Sequence, residues 1–268
     1  QWFLFNYGSL YAGHLPIIFA VLFTINLGTT YCFAVANGHV DSIFPYVSAA
    51  GNNQPESCIF SFLLNLSAVF SIMIVCMRCA LVSSILRERD RFLDRVNVWS
   101  SYIGIISGFA MMLVASVQET AIITVHLSAA CVCFSFGCIY MITQAWVTIK
   151  MYPDYNNRRI GWIRMVLAIA STVCLFSAIG FGVAAAHVYH SVYPGKPTPR
   201  PWSRKIWMPG YPLHVVSAVS EWLLAVLHVS YILSYQREFE KLKVKFVSEA
   251  LVSHLDTSPY SSHAELNP

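Results

Sequence analysis

The amino-acid sequence predicts an all-α, polytopic membrane protein: a bundle of six transmembrane helices with both termini in the cytosol. Three observations predict this class. Of the 268 residues, 56% are hydrophobic and only 11% are charged, which leaves too little polar surface for a water-soluble domain of this size. The apolar residues fall into six long runs. Lysine and arginine concentrate in alternate connections between those runs.

Each apolar run is long enough to cross a bilayer. The first covers residues 15–36 without a charged side chain. As a helix it would be roughly 33 Å long, and a hydrocarbon core is about 30 Å thick. The other five spans are predicted at about residues 58–86, 98–117, 121–149, 160–188 and 211–235. We therefore expect one transmembrane domain over residues 15–235, preceded by a cytosolic segment at residues 1–14.

Residues 236–268 are expected to form a cytosolic tail. The tail can be helical up to about Leu255 and is expected to be disordered from Thr257 onwards. The apolar face of that helix would consist of Phe239, Leu242, Phe246 and Ala250. Two interpretations stay open, namely a solvated extension of the sixth helix and a basic amphipathic segment that lies on an anionic leaflet.

The positions of lysine and arginine predict the orientation, because short loops rich in these residues stay in the cytosol. Eleven of them share one predicted side: Arg87, Arg89, Arg91, Arg95, Lys150, Arg158, Arg159, Arg237, Lys241, Lys243 and Lys245. On the opposite side, the first and third connections have none, and the fifth has four: Lys196, Arg200, Arg204 and Lys205. This distribution favours a cytosolic location for both termini.

Composition and motifs argue against several classes of function. The net charge is only +4, and the basic residues occupy short connections instead of a continuous stripe, so we expect no nucleic-acid partner. The eight cysteines lie in or beside apolar runs, where a thiol behaves as a small hydrophobe. The sequence contains no complete haem, phosphate-binding, nucleophile or zinc motif. We therefore expect a protein that is not an enzyme and has no cofactor or metal.

Two ionisable residues lie within predicted spans and are candidate functional residues, because charge at bilayer depth is costly. Arg78 lies about two turns from the cytosolic end of the second span, where snorkelling to the headgroups is favoured over an ion pair or a lipid-phosphate contact. Glu221 lies near the middle of the sixth span. It is either a protonated or hydrogen-bonded structural residue, or part of a proton-coupled or ligand-facing site.

Four uncharged polar residues also lie within the spans: Asn26, Asn65, His126 and Gln144. Side chains of this kind commonly form hydrogen bonds between helices, so a packing role is the first expectation. The first connection carries Pro45 and Pro55, which restrict its backbone. We expect it to be an ordered luminal loop that caps the bundle, with a simple turn as the alternative.

Several stretches of the sequence are characteristic: residues 44–48 (FPYVS), 55–60 (PESCIF), Leu64 with Asn65, Arg78, Gln118 with His126, residues 220–222 (SEW) and residues 235–241 (YQREFEK). Together they resemble the damage-regulated autophagy modulator (DRAM) family of six-span proteins. The resemblance extends from about Leu15 to Pro259. Its most specific part is the loop that combines Pro-Tyr with Pro-Glu.

The resemblance implies a lysosomal or endosomal membrane protein that promotes autophagy and has no known catalytic residue. Related branches of the superfamily act at the plasma membrane as adaptors for phosphoinositide kinase assembly or as regulators of lipid distribution, which is the alternative. A proton-coupled transporter or channel is a third possibility. The visible cytosolic segments contain neither an acidic dileucine nor an accessible Tyr-x-x-apolar signal.

These considerations give three sets of candidate residues. A candidate intramembrane polar or lipid site comprises Asn65, Arg78, Gln118, His126, Glu221 and Trp222. The luminal loop contributes Pro45, Tyr46, Pro55 and Glu56. Basic cytosolic contacts are expected from Arg87, Arg89, Arg91, Arg95, Lys241, Lys243 and Lys245. The expected partners are membrane lipids, including anionic ones, and cytosolic regulatory proteins.

Overall fold

A computed structural model of the chain describes residues 9–153, 155–200 and 204–245. Within them the chain forms helices α1 (His14–Ala36), α2 (Val47–Ala50), α3 (Glu56–Leu86), α4 (Arg91–Ser116), α5 (Ile123–Lys150), α6 (Arg158–Val192), α7 (Tyr211–Leu233) and α8 (Gln236–Phe239). Two short strands, β1 (Ser9–Tyr11) and β2 (Lys243–Lys245), flank the helices. In the described residues, six of the helices are long and apolar enough to cross a membrane, which confirms the predicted bundle of six transmembrane helices. The cytosolic location of both termini stays a prediction.

The helices extend further than the apolar runs at two ends. α4 begins at Arg91, whereas the predicted span begins at residue 98, and α6 continues to Val192. Hydropathy detects only the part of a helix that is apolar enough for the hydrocarbon core of the bilayer. The backbone hydrogen bonds of the helix continue beyond that part, so the helix is longer than the apolar run. Local capping fixes where α4 starts, because the Asp90 carboxylate accepts hydrogen bonds from the amides of Phe92 and Leu93.

The six long helices form a closed ring. Each one packs against the next along the chain, from α1 to α3, α4, α5, α6 and α7, and α7 closes the ring on α1. Phe60, Tyr140 and Tyr231 are buried in the interior. Large apolar side chains such as Phe62 and Phe176 are exposed on the outer surface. An apolar outer surface around a packed interior is expected where the solvent is lipid.

Both ends of the described chain meet at one end of the ring. β1 pairs with β2 in antiparallel register, with Leu10 opposite Val244. We name this end the tail end; it also carries the α3–α4 connection at residues 87–90 and the described parts of the α5–α6 connection, residues 151–153 and 155–157. The opposite cap end carries the connections at residues 37–55 and 117–122 and the described parts of the α6–α7 connection, residues 193–200 and 204–210. Two of the three basic connections therefore lie at the tail end, and the third, the α6–α7 connection, lies at the cap end.

The tail differs from the expected helix. Helical structure ends at Phe239 after a single turn, and the chain then turns into β2. Glu238 and Phe239 are buried against the bundle, and the Leu242 carbonyl accepts a hydrogen bond from the Ala12 amide. Pairing with the N-terminal segment thus interrupts the predicted helix after Phe239, and residues 246–255, the rest of that predicted helix, lie outside the described residues. The expected disordered end lies outside the described residues.

Candidate functional site

Three charged side chains meet inside the bundle near its tail end. Arg78 of α3 and Arg164 of α6 are fully buried, and Glu238 of α8 is largely buried. Arg78 Nη1 donates to Glu238 Oε2, and Arg164 Nη1 lies 2.7 Å from Glu238 Oε1. A single carboxylate therefore bridges two guanidinium groups and fastens the first turn of the tail to two transmembrane helices. We name these three residues the charge cluster.

The charge cluster has two positive charges and one negative charge, and neutral groups take up the other donors. Arg78 Nη2 donates to Thr148 Oγ1 at 3.0 Å. Arg164 Nε and Nη2 donate to Oγ and the carbonyl of Ser234, each at 2.8 Å. The Tyr235 ring faces both cations, with its centroid 5.1 Å from Arg78 Cζ and 4.4 Å from Arg164 Cζ. Such contacts lower the free-energy cost of burying a second positive charge with only one carboxylate.

A network of amides extends from the charge cluster into α4 and α5. Gln144 Oε1 accepts from Arg78 Nε at 3.4 Å. Gln144 Nε2 donates to Asn97 Oδ1 at 2.9 Å and to Ser100 Oγ at 2.8 Å. Gln144 thus forms hydrogen bonds between helices, as expected from its position within a span. The Asn26 side chain, in contrast, has no hydrogen-bond partner within the described residues.

At the cap end, the first connection folds down into the ring and contacts α7. Three hydrogen bonds run from Tyr46 Oη to Ser217 Oγ (2.6 Å), from the Val47 amide to Glu221 Oε2 (2.9 Å) and from Trp222 Nε1 to the Pro45 carbonyl (2.8 Å). Glu221 is ten residues after Tyr211, the first residue of α7, so the contact lies about 15 Å along that helix. The connection is therefore an ordered plug that enters the bundle.

The plug is also held at its two ends. Pro55 stands directly before α3, and the carboxylate of the next residue, Glu56, is fully buried. Glu56 Oε1 accepts from Asn37 Nδ2 at 2.6 Å and lies 3.1 Å from His39 Nδ1. These contacts join the end of α1 to the start of α3. Of the residues predicted to form the luminal loop, Pro45, Tyr46 and Pro55 thus lie in the plug, and Glu56 begins α3 directly after it.

The third connection is fastened beside the plug. Asn52 Oδ1 accepts from the Thr120 amide at 2.9 Å. His126 Nδ1 lies 2.6 Å from the Val117 carbonyl, a contact that closes the turn between α4 and α5. The bond from Asn52 holds Glu119, the residue before Thr120, at the edge of a cavity.

This cavity has a volume of about 670 Å³ and lies between α5, α6 and α7 at the cap end. We name it the cap cavity. Its walls include the apolar side chains of Leu127, Phe134, Leu175, Ile179, Val183 and Leu224. Its polar residues include Tyr46, Glu119, Arg200, Arg204, His214 and Glu221. A cavity of this size with apolar walls and few convergent polar groups has the form of a small-molecule site.

Burial perturbs the pKa values of three ionisable groups in the connections that line the cap cavity: Glu119, Tyr46 and Arg204. Burial raises the pKa of Glu119 to about 7, although the nearby Arg200 opposes that shift. Burial likewise raises the pKa of Tyr46 to about 12 and lowers the pKa of Arg204. Glu119 therefore changes charge near neutral pH, which is unusual for a carboxyl group and typical of a functional site.

The candidate intramembrane residues do not form one site. Glu221 and His126 line a smaller central cavity of about 110 Å³ inside the ring. Asn65 Nδ2 donates to the Ser61 carbonyl, and Gln118 Nε2 lies 3.4 Å from Ser61 Oγ, away from that cavity. The interpretation of Arg78 as a snorkelling residue is wrong, because a buried carboxylate is available to it inside the bundle.

The basic residues expected to make cytosolic contacts lie at the tail end. Arg87, Arg89, Arg91 and Arg95 are exposed around the α3–α4 connection, and Lys241 is exposed beyond α8. The backbone of Lys243 and Lys245 forms β2, whereas their side chains are outside the described part of the structure. Positive charge at this end is therefore accessible to solvent or to a membrane surface.

Sequence reasoning missed four residues of these sites. Arg164 and Glu238 complete the charge cluster, and Glu119 and Arg204 line the cap cavity. One signal could have found Glu238: an arginine within a span needs a counter-ion, and acidic residues near the spans are few. For Glu119 and Arg204 there was no signal, because they belong to different connections that only the fold brings together.

The fold and its sites define a class of protein: a six-span helical bundle with a buried charge cluster at one end and a plugged, ligand-sized cavity at the other. Residues 11–242 match the family model described as the Frag1/DRAM/Sfk1/Cwh43P N-terminal domain. The match covers most of the chain, so this protein belongs to that family. No solved structure matches the chain.

The relatives of this chain include proteins named as modulators of autophagy. The chain is 29% identical over 236 residues to DNA damage-regulated autophagy modulator protein 2 of Bos taurus, covering 86% of this chain and 85% of that protein. It is 29% identical to DNA damage-regulated autophagy modulator protein 1 of Homo sapiens, over 82% of this chain and 87% of the relative. It is 31% identical to Modulator of macroautophagy TMEM150B of Danio rerio, over 64% of this chain and 75% of that relative.

Proposed function

We propose that this protein is a non-enzymatic regulator in the lysosomal or endosomal membrane and that it promotes autophagy. The observation that carries the proposal is the similarity, over more than four fifths of the chain, to relatives named as autophagy modulators. The charge cluster, the plug and the cap cavity are consistent with binding and with structural roles, and none of them pairs a nucleophile with a base in the way that catalysis requires.

The proposed mode of action is contact between the tail end and cytosolic partners or anionic lipids. The tail end carries the exposed arginines of the α3–α4 connection. Beside it, Glu238 fastens the tail to the bundle, and β2 pairs with β1. This arrangement gives partners a basic surface in a fixed position relative to the membrane. The positive-inside rule supports a cytosolic location for that surface.

The test is to replace Arg87, Arg89, Arg91 and Arg95 together by glutamine. The matched control replaces the same four residues by lysine, which retains their charge and the orientation signal. In cells that lack the endogenous protein, we expect the glutamine variant to lose partner recruitment and stimulation of autophagic flux, and the lysine variant to retain both. Protease mapping verifies that each variant keeps the orientation of the wild type.

Unchanged flux in a correctly oriented glutamine variant would show that these arginines serve orientation only. Localisation tests the remaining part of the proposal. A tagged chain should colocalise with lysosomal or endosomal markers. Residence at the cell surface, with none at lysosomes, would instead favour an adaptor at the plasma membrane.

A further inference from the structure

The polar end of the cap cavity contains one acceptor and one donor without a partner. Glu119 is 2% exposed and Arg204 is 5% exposed. Neither Glu119 Oε2 nor Arg204 Nη1 has a hydrogen-bond partner in the part of the chain that the structure describes. Each residue has a neighbour, since Arg200 lies near Glu119 and the Arg204 Cζ lies 5.7 Å from the centroid of the Tyr189 ring, but a buried polar atom without a hydrogen bond still costs free energy. The two atoms together therefore suit a ligand that supplies both a cationic N–H donor and an anionic acceptor.

The rest of the cap cavity suits a hydrocarbon chain. Leu127 of α5 and Ile179 and Val183 of α6 line it, and their side chains are also exposed on the surface of the bundle. This surface belongs to two membrane-spanning helices, so the mouth of the cavity opens towards lipid. A ligand that enters there comes from the bilayer, and its apolar part stays between α5 and α6.

The size and the polarity of the cap cavity indicate the same class of ligand. The volume of about 670 Å³ lies within the range of roughly 300–1,000 Å³ that is usual for small-molecule sites. One end is charged, with both signs present, and the walls are apolar. An amphiphile with a zwitterionic headgroup fits this distribution, whereas a soluble ion leaves the apolar walls without a partner.

We infer that the cap cavity binds a membrane phospholipid with a phosphoethanolamine headgroup. The phosphate accepts from Arg204, the ammonium group donates to Glu119, and an acyl chain lies along α5 and α6. Ethanolamine is favoured over choline because the quaternary nitrogen of choline has no N–H to donate to the Glu119 carboxylate. This inference goes beyond the proposed function, since the lipid can bind whether or not the protein promotes autophagy.

The test measures binding of radiolabelled lysophosphatidylethanolamine to the full chain in phosphatidylcholine nanodiscs. We expect saturable binding of one molecule per chain. Lysophosphatidylcholine should bind at least about tenfold more weakly, because one charge-assisted hydrogen bond is lost. Water-soluble phosphoethanolamine should compete poorly, since it has no acyl chain. Equal competition by phosphoethanolamine, or equal affinity for the two lysolipids, would overturn the assignment.

Two substitutions test the headgroup contacts. Glu119→Gln should remove most of the preference for ethanolamine over choline. Arg204→Gln should weaken binding of both lysolipids by about tenfold or more, because both carry the phosphate. The matched controls are Glu88→Gln and Arg158→Gln, which make the same chemical changes at exposed tail-end positions. Wild-type affinity and wild-type preference in both test variants would refute the inference.

A third substitution tests the cavity without altering a charge. Ala130 lies on the α5 wall, and Ala130→Phe places a ring in the space assigned to the acyl chain. Val173→Phe is the control, because Val173 is exposed on α6 and is not among the residues that line the cap cavity. Ala130→Phe should abolish binding of both lysolipids while the thermal midpoint stays close to that of the control. Undiminished binding would place the lipid elsewhere and overturn the inference.

Discussion

The charge cluster predicts a large loss of stability in the variant Glu238→Gln. This carboxylate is the counter-ion of both Arg78 and Arg164, and its side chain is only 10% exposed. Its replacement leaves two buried guanidinium groups without a negative charge. Breaking a buried ion pair from one side typically costs about 3–5 kcal/mol. Because glutamine keeps one acceptor oxygen, we expect about 3 kcal/mol, which corresponds to a fall in the thermal midpoint of roughly 10 °C.

The assay is thermal unfolding of the purified chain in nanodiscs, followed by circular dichroism. Glu240→Gln is the matched control, because Glu240 is exposed two residues further along the tail. Its hydrogen bond with Gln236 at the surface should contribute less than about 1 kcal/mol. Arg164→Gln should be milder than Glu238→Gln, since it leaves one cation opposite one anion. If Glu238→Gln and Glu240→Gln had the same midpoint, the argument that Glu238 neutralises buried charge would be wrong.

Three further predictions concern the cap end. Gly210→Ala should lower the free energy of unfolding by more than about 1 kcal/mol in thermal denaturation, because Gly210 has φ of 80° and an added Cβ would lie 2.5 Å from the Ala185 carbonyl oxygen. Gly195→Ala, also at positive φ but in open space, is its control. Tyr46→Phe should cost about 1–2 kcal/mol in the same assay, because it leaves the hydroxyl of Ser217 without its donor. Binding of lysophosphatidylethanolamine should weaken about tenfold from pH 8 to pH 6, because Glu119, with a pKa of about 7, must be ionised to accept from the ammonium group. The same titration of Glu119→Gln should lose most of this slope, and a wild-type profile without slope would contradict the assignment. The other ionisable groups lining this cavity are Tyr46, Cys131, Arg200, Arg204, His214 and Glu221.

The structure gives several candidate residues surroundings that differ from the expected ones. The burial of Arg78 requires a counter-ion, and this partner, Glu238, is 160 residues away along the chain. Glu238 belongs to the tail, which was predicted to be either a solvated helix or an amphipathic segment on the leaflet. Glu221 and Trp222 were identified within the sixth span, and the structure adds that the plug contacts both. Asn65 and Gln118 are part of a separate hydrogen-bonded group on α3 and the third connection.

The sequence by itself determined the six spans and the concentration of basic residues at one end. Both follow from local properties: a run of apolar side chains must leave water, and its length decides whether it crosses a bilayer. The tertiary structure alone decided the counter-ion of Arg78, the depth of the plug and the cap cavity. Each of these depends on groups from different helices or connections that meet only when the ring closes. Hydropathy along the chain does not predict these contacts. It reports which segments are apolar enough to enter the bilayer, whereas side-chain packing determines which helices lie next to each other.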